Sequence, residues 1–154
     1  MEIEENQQEV KIIATNKKAN YEYFILERFE AGIVLKGTEV KSARNRNISL
    51  QDSYATIEGG EVILHNMHIN PYEQGNNFNT DPKRDRKLLL HKKQIRKLYS
   101  KLQDKGLTLI PTKVYFSGKN LKVEIALAKG KKSFDKRESI AKRDAERQMH
   151  RKEY

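Results

Sequence analysis

The chain contains no cysteine in its 154 residues, which removes disulfide frameworks, thiolate zinc sites and cysteine nucleophiles together. Apolar residues are also few, at 36% against 34% charged. That composition suits one modest core, and the length is enough for one domain but too short for two ordinary ones. No apolar run approaches the roughly 20 residues that a spanning helix needs. The amino terminus is acidic, with Glu2, Glu4, Glu5 and Glu9 before the first base at Lys11, so it resembles neither a signal nor a transit peptide. Asn47-Ile48-Ser49 therefore carries no weight as a glycosylation acceptor. A cytoplasmic protein is expected, with no membrane attachment.

Catalytic and metal-binding patterns are missing as well. Lys129-Gly130-Lys131-Lys132-Ser133 resembles the end of a phosphate-binding loop, but Ile125 stands where the motif needs its earlier glycine. His65 and His68 are three apart on an extended segment, which points them to opposite faces. No serine lies in a nucleophile-elbow setting. The carboxylates lie mainly among lysines and arginines, where ion pairing accounts for them. No enzyme activity, cofactor or metal is expected.

What is present is positive charge, at +10 overall with a pI near 9.7. It is unevenly spread: residues 1–10 hold four acids and no base, whereas residues 129–154 hold ten bases and five acids. Three zones follow, namely an acidic arm at 1–10, a folded body at 11–128 and a basic tail at 129–154. In the body, Tyr21 to Leu35 reads as strand, with a bulge or bend at Ala31-Gly32. Tyr54–Ile57 and Val62–Leu64 flank Glu58-Gly59-Gly60-Glu61, a hairpin signal. Leu121, Val123, Ile125 and Leu127 alternate with Lys122, Glu124 and Ala126, and this strand pairs with Leu107–Phe116, where Pro111 calls for an edge or a bulge. Helices are expected at Gly37–Arg44 and His91–Lys105, the second ended by Gly106, and Asn70–Pro82 reads as a polar loop. The expected fold is mainly β, a small closed or partly open barrel of the oligonucleotide-binding type with flanking helices. The last twenty residues hold only Ile140, Ala141, Ala145 and Met149 as apolar side chains beyond Phe134, so the tail is expected to be disordered alone and helical on a partner.

Clusters of cations beside aromatics are the equipment of RNA recognition, where cations meet phosphates and rings stack on unpaired bases. They occur at Asn16-Lys17-Lys18, Lys41 to Arg44, Lys83 to Lys87 and Lys129 to Arg137, the last containing Phe134. No helix-turn-helix or zinc pattern points to duplex DNA. Taken singly, each cluster is more often a solvated face than a binding site, and together in a chain of this charge they favour nucleic acid.

Longer strings are more specific. Asn16-Lys17-Lys18-Ala19, the run from Glu30 to Ser42, Asp52-Ser53-Tyr54, Arg86 to Leu90, Ala126 to Lys132 and Asp135-Lys136-Arg137 resemble, in order and spacing, the SsrA-binding protein (small protein B) family. The likeness runs from about residue 12 to the end. It implies a barrel that grips the transfer-RNA-like domain of transfer-messenger RNA, and a tail that enters the decoding site and messenger channel of a stalled ribosome. The nascent chain is then tagged in trans-translation, and the protein itself performs no covalent step. On this resemblance Asn16, Glu30 and Leu89 match family positions of the RNA-binding face, and with the basic clusters the RNA-binding set becomes Asn16, Lys17, Lys18, Glu30, Lys41, Arg44, Arg84, Arg86, Lys87, Leu89, Lys129, Lys131 and Lys132. The ribosome-binding set is Phe134, Asp135, Lys136, Arg137, Lys142, Arg143, Arg147 and Arg151. Glu30 either accepts hydrogen bonds from RNA or orients a neighbouring lysine, and Leu89 reads as core or support rather than contact. Asn45-Arg46-Asn47 replaces a glycine-containing turn of the family, with asparagine able to take the left-handed conformation. A monomer is expected. The rival readings are a ribosomal-RNA-binding translation protein and, more weakly, a small RNA-processing enzyme.

Overall fold

The computed structural model describes residues 9–72 and 80–152, except the side chains of Ser133, His150, Arg151 and Lys152. Most of the acidic arm and residues 73–79 of the polar loop lie outside the described residues. In chain order the elements are β1 (Val10–Thr15), α1 (Ala19–Glu22), β2 (Tyr23–Ile33), α2 (Gly37–Arg44), β3 (Ile48–Ser49), β4 (Tyr54–Glu58) and β5 (Glu61–His65). There follow β6 (His68–Ile69), β7 (Arg86–Leu89), α3 (Lys92–Lys101), β8 (Leu107–Ser117), β9 (Asn120–Gly130) and α4 (Ser133–Lys152). The strand order β8-β4-β5-β7-β2-β9 is closed by a β8–β9 pairing, so these strands form a ring, with β1 added to β8. All of the pairings are antiparallel. The mainly β, closed architecture with flanking helices agrees with the sequence expectation.

Alternation builds the interior. On β9, Val123, Ile125 and Leu127 turn inward and are fully buried or nearly so, joined by Val62, Leu64, Leu88 and Leu109 from the other strands. Ala126 and Ala128 face the other way and are also buried, in a second small cluster with Ala19 of α1 and Ile110. The short helix α1 thus covers one end of the outer face of the β8–β9–β2 wall. Helix α3 buries Leu98 and packs Ile95 and Leu102 on the main core, while Lys97 and Lys101 reach Glu27 at 2.6 and 3.0 Å. These two lysines hold the Glu27 carboxyl below its ordinary range.

The structure moves three local features. The irregularity in β2 lies between Ile25 and Glu27, where Leu26 is left exposed, and not at Ala31-Gly32. Gly32 is instead where β2 meets Lys122 of β9 and Leu89 of β7 at once. Helix α3 ends at Lys101, and Gly106 with φ of +83° leads into β8. After α2, the left-handed residue is Arg46 with φ of 60°, not an asparagine. The Pro111 irregularity holds, with the β8–β9 register shifting between Pro111 and Lys113. The Arg46 conformation yields a prediction. A left-handed L residue costs roughly 1–2 kcal/mol, and the added unfolded freedom of glycine offsets roughly 0.5–1 kcal/mol of any gain. Arg46→Gly should therefore stabilise the fold by about 0.5–1 kcal/mol, read as a rise in the urea midpoint. A fall would show that the Arg46 side chain holds a partner worth more than the backbone strain.

The tail residues Ser133–Lys152 form helix α4. It lies against α1, with the Arg143 guanidinium carbon 5.3 Å from the Tyr21 ring centre. Ile140 and Met149 stay exposed.

Candidate nucleic-acid interface

The turn after β1 is pinned to β8. The Asn16 backbone N–H donates to the Thr112 carbonyl at 2.8 Å and its side-chain amide to the Pro111 carbonyl at 3.0 Å. Anchoring Asn16 on both sides leaves Lys17 and Lys18 exposed beyond it. The Thr112 hydroxyl in turn donates to Glu124 Oε2 at 2.5 Å, and Arg28 reaches the same oxygen at 3.2 Å. Glu124 faces Glu30 across the β2–β9 pair. Glu30 is exposed on the outer face, and its Oε2 accepts a hydrogen bond from the Tyr115 hydroxyl, which crosses from β8. Of the two readings of Glu30, a lysine partner is not found in the described contacts. Tyr115 fills that place.

Leu89 corrects an expectation. It is 51% exposed, because the alternation of β7 sends Arg86 and Leu88 inward and Lys87 and Leu89 outward. Its side chain lies over Gly32, where an added Cβ would stand 3.4 Å from the Leu89 Cβ. Asn16, Glu30 and Leu89, far apart in sequence, are thus linked along the outer face of β8, β9, β2 and β7. Tyr115 was missed. Its only sequence signal is position, between the inward-facing Val114 and Phe116. Burial and then the Glu30 carboxylate push the Tyr115 phenol well above its ordinary range, so it remains a donor at any physiological pH. Tyr115→Phe keeps the ring and removes the donor, and it should lower stability by about 1 kcal/mol. Denaturant midpoints for the parent and variant check this, and equal midpoints would show that water replaces the bond fully.

The basic residues divide by what they touch. Lys41 and Arg44 are exposed on α2, with Lys41 5.4 Å from the Tyr72 ring centre. Lys87 is exposed and pairs with Glu61 at 3.1 Å. Lys129 and Lys132 are exposed. Arg86 does not belong with them. It is 1% exposed, and its guanidinium donates to Glu39 Oε2 at 2.7 Å and to the Met67, Pro82 and Arg84 carbonyls. Arg84 forks onto the same Glu39 with two bonds of 3.1 Å from its Nε. Glu39 also accepts the Lys36 N–H at 3.0 Å, which caps α2. Arg86 holds the fold together and has no free face for RNA, whereas Arg84 shares Glu39 with it but keeps a quarter of its side chain exposed. Lys131 is partly internal as well, donating to the Asn20 carbonyl at 2.9 Å and Ser139 Oγ at 2.6 Å while standing 4.9 Å from the Phe24 ring centre.

In the tail, Phe134 is 63% exposed, and Arg137, Lys142 and Arg147 are exposed. Asp135 sits in the first turn of α4, where a carboxylate favours the helix N-terminus, and its Oδ2 lies 3.4 Å from the Lys132 nitrogen. Lys136 is half-buried and its N–H donates to the Lys132 carbonyl. Arg143 is half-buried beside Tyr21 and Asp144. The Arg151 side chain lies outside the described residues.

Comparison with known proteins decides the family. The model of the SmpB protein family matches residues 13–153. This chain belongs to the SmpB protein family. The SsrA-binding protein of Caldicellulosiruptor saccharolyticus is 61% identical over 146 residues, 95% of this chain and 92% of that protein. The SsrA-binding protein of Carboxydothermus hydrogenoformans is 60% identical, covering 92% of this chain and 95% of that protein. A solved chain from "tmRNA-SmpB: a journey to the center of the bacterial ribosome" is 48% identical, covers 82% of this chain and 92% of that one, and superposes with a TM-score of 0.67. The family match extends through α4, so the basic helix is as much a part of the family pattern as the ring. In the described residues no helix is long and apolar enough to cross a membrane.

Proposed function

We propose that this chain binds the transfer-RNA-like domain of transfer-messenger RNA and delivers it to stalled ribosomes for trans-translation, tagging the nascent chain and freeing the ribosome. The observation that carries this reading is the family match from residue 13 to 153, which takes in both the ring and the basic tail. The body, residues 11–128, holds the RNA. The exposed Lys17, Lys18, Lys41, Arg44, Lys87, Lys129 and Lys132 meet phosphates, while Asn16, Glu30 and Leu89 shape the surface between them. The tail, residues 129–154, engages the decoding site and messenger channel through Phe134 and the cations of α4. The protein works as a monomer in the cytoplasm, by binding alone, and the chemistry belongs to the ribosome.

Isolating the protein from cells and sequencing the bound RNA tests this directly. Enrichment of transfer-messenger RNA is expected, and recovery of ribosomal RNA alone would favour an ordinary ribosomal protein instead. Binding should also weaken steeply with salt, each phosphate contact contributing a slope of roughly −0.7 to −0.9 in log K against log salt. Replacing Lys17, Lys18, Lys41 and Arg44 in turn should flatten that slope in steps, and an unchanged slope would leave them as mere surface.

A further inference from the structure

A groove of about 880 Å³ lies between the turn after β1 and the segment 48–54. Its size falls within the roughly 300–1,000 Å³ of pockets that enclose small ligands. Ile12, Leu50 and Ile110 give it an apolar lining, Lys17 and Lys18 border it on the β1 side, and Tyr54 borders it on the β4 side. Tyr54 is 42% exposed, yet its ring is held in place. It stacks on His65 with centroids 4.9 Å apart and planes 27° apart. His65 is itself fixed at both nitrogens, with Nε2 2.7 Å from Thr56 Oγ1 and Nδ1 2.8 Å from Asp85 Oδ1. An exposed ring backed in this way has little freedom left to lose when a second ring stacks on it.

The charges narrow the ligand further. Glu22 and Asp52 also line the groove. A purely anionic ligand such as phosphate or an acidic peptide would meet two carboxylates as well as the two lysines. A nucleotide matches both signs, with a phosphate for the lysines and a base whose N–H groups can donate to carboxylates. We infer that this groove receives one unpaired nucleotide of the bound RNA, its base against Tyr54 and its phosphate toward Lys17 and Lys18. Splaying single bases onto aromatic side chains is the general way in which proteins read unpaired RNA. The inference rests on the RNA-binding reading of the chain and adds to it a defined place where one base leaves the stack.

The test uses the full chain with transcribed transfer-messenger RNA. Ultraviolet cross-linking followed by mass spectrometry of RNA-bonded peptides should place a cross-link at Tyr54. Tyr54→Ala should weaken binding about tenfold or more, as expected from loss of a stacking ring, and Tyr54→Phe should bind like the parent. Thr15→Trp adds bulk from an exposed position that lines the groove. It should weaken binding to a similar degree with an unchanged melting temperature, which covers the case in which Tyr54→Ala misfolds. If the parent retains the RNA but Tyr54→Ala or Thr15→Trp, well folded, binds equally and no cross-link falls within residues 48–54, the groove assignment fails while the RNA reading stands. If the parent does not retain the RNA, both fall.

Discussion

Arg86→Met should destabilise the chain by about 3–5 kcal/mol, the usual cost of removing one partner from a buried ion pair. Arg86 and Glu39 are 1% and 4% exposed, and they are bonded across 47 positions of sequence. Removing the guanidinium leaves a buried carboxylate with Arg84 as its cationic partner among the described residues, takes the Arg86 donor from the Met67 carbonyl, and leaves the Pro82 carbonyl with the Ile69 N–H alone. The loss would be felt at α2, whose first turn Glu39 caps, and in the segment that leads into β7. The measurement is a urea titration of parent and variant, and a loss under about 1 kcal/mol would mean that water reaches Glu39 easily. Glu39→Gln should be milder, because the amide oxygen still accepts one arginine bond. RNA affinity of any folded Arg86 variant should follow the folded fraction, since the side chain has no face toward solvent.

The same cluster fixes a pH response. Burial raises the Glu39 carboxyl, but the bonds from Arg84, Lys36 and Arg86 outweigh it, so its pKa in the folded chain is lowered from 4.5. A lowered carboxyl contributes stability that is fully present above its unfolded value and is lost as pH falls through the folded one. The parent should therefore lose stability as pH falls below about 4.5, with Glu39→Gln showing a flatter acid limb.

Sequence legibility followed the strength of local pattern. The β4–β5 hairpin was readable because Gly59 and Gly60 supply the two positive φ values, 58° and 79°, that its tight turn requires. The β8–β9 pair was readable because four alternating apolar residues outlast any helix period. β7 was not, since it is only Arg86-Lys87-Leu88-Leu89 and one of its two inward positions is an arginine. A cation in a run of cations reads as surface until its partner is known, and Glu39 lies too far away in sequence to announce itself. That misplaced Arg86 in the RNA-binding set. β1 and the four-residue α1 are too short to show a period, and the apolar Ile12-Ile13-Ala14 run of β1 does not alternate. On the candidate surface, Asn16, Glu30 and Leu89 came from family resemblance alone. Tyr115 and the Tyr54–His65 stack went unread because each depends on pairing between strands.

Ending the chain after Lys132 should abolish tagging of stalled nascent chains while transfer-messenger RNA binding persists. No described side chain of α4 belongs to either buried cluster, so the ring should fold without it. Beyond the bonds within its own first turn, α4 would take with it the Lys131–Ser139 bond and the Arg143–Tyr21 stack, worth about 1 kcal/mol each. A small fall in melting temperature is therefore expected, without loss of the fold, and loss of RNA binding by a well-folded truncation would refute the division of labour. Within the tail, Phe134 should carry a disproportionate share. It is 63% exposed at the start of α4, which removes the alternative that it folds back to cap the ring. An exposed ring amid Lys132, Lys136 and Arg137 has no core to join, and stacking on an unpaired base contributes about 1–3 kcal/mol. Phe134→Ala should then slow peptidyl transfer to the alanylated RNA about tenfold or more, with melting temperature and RNA affinity unchanged. Phe134→Tyr and Phe134→His should keep most of the rate, because each retains a flat ring. If the alanine variant transfers at the parent rate while the truncation fails, the tail works through its charge alone. The cations exposed along α4, Arg137, Lys142 and Arg147, then become the residues to replace.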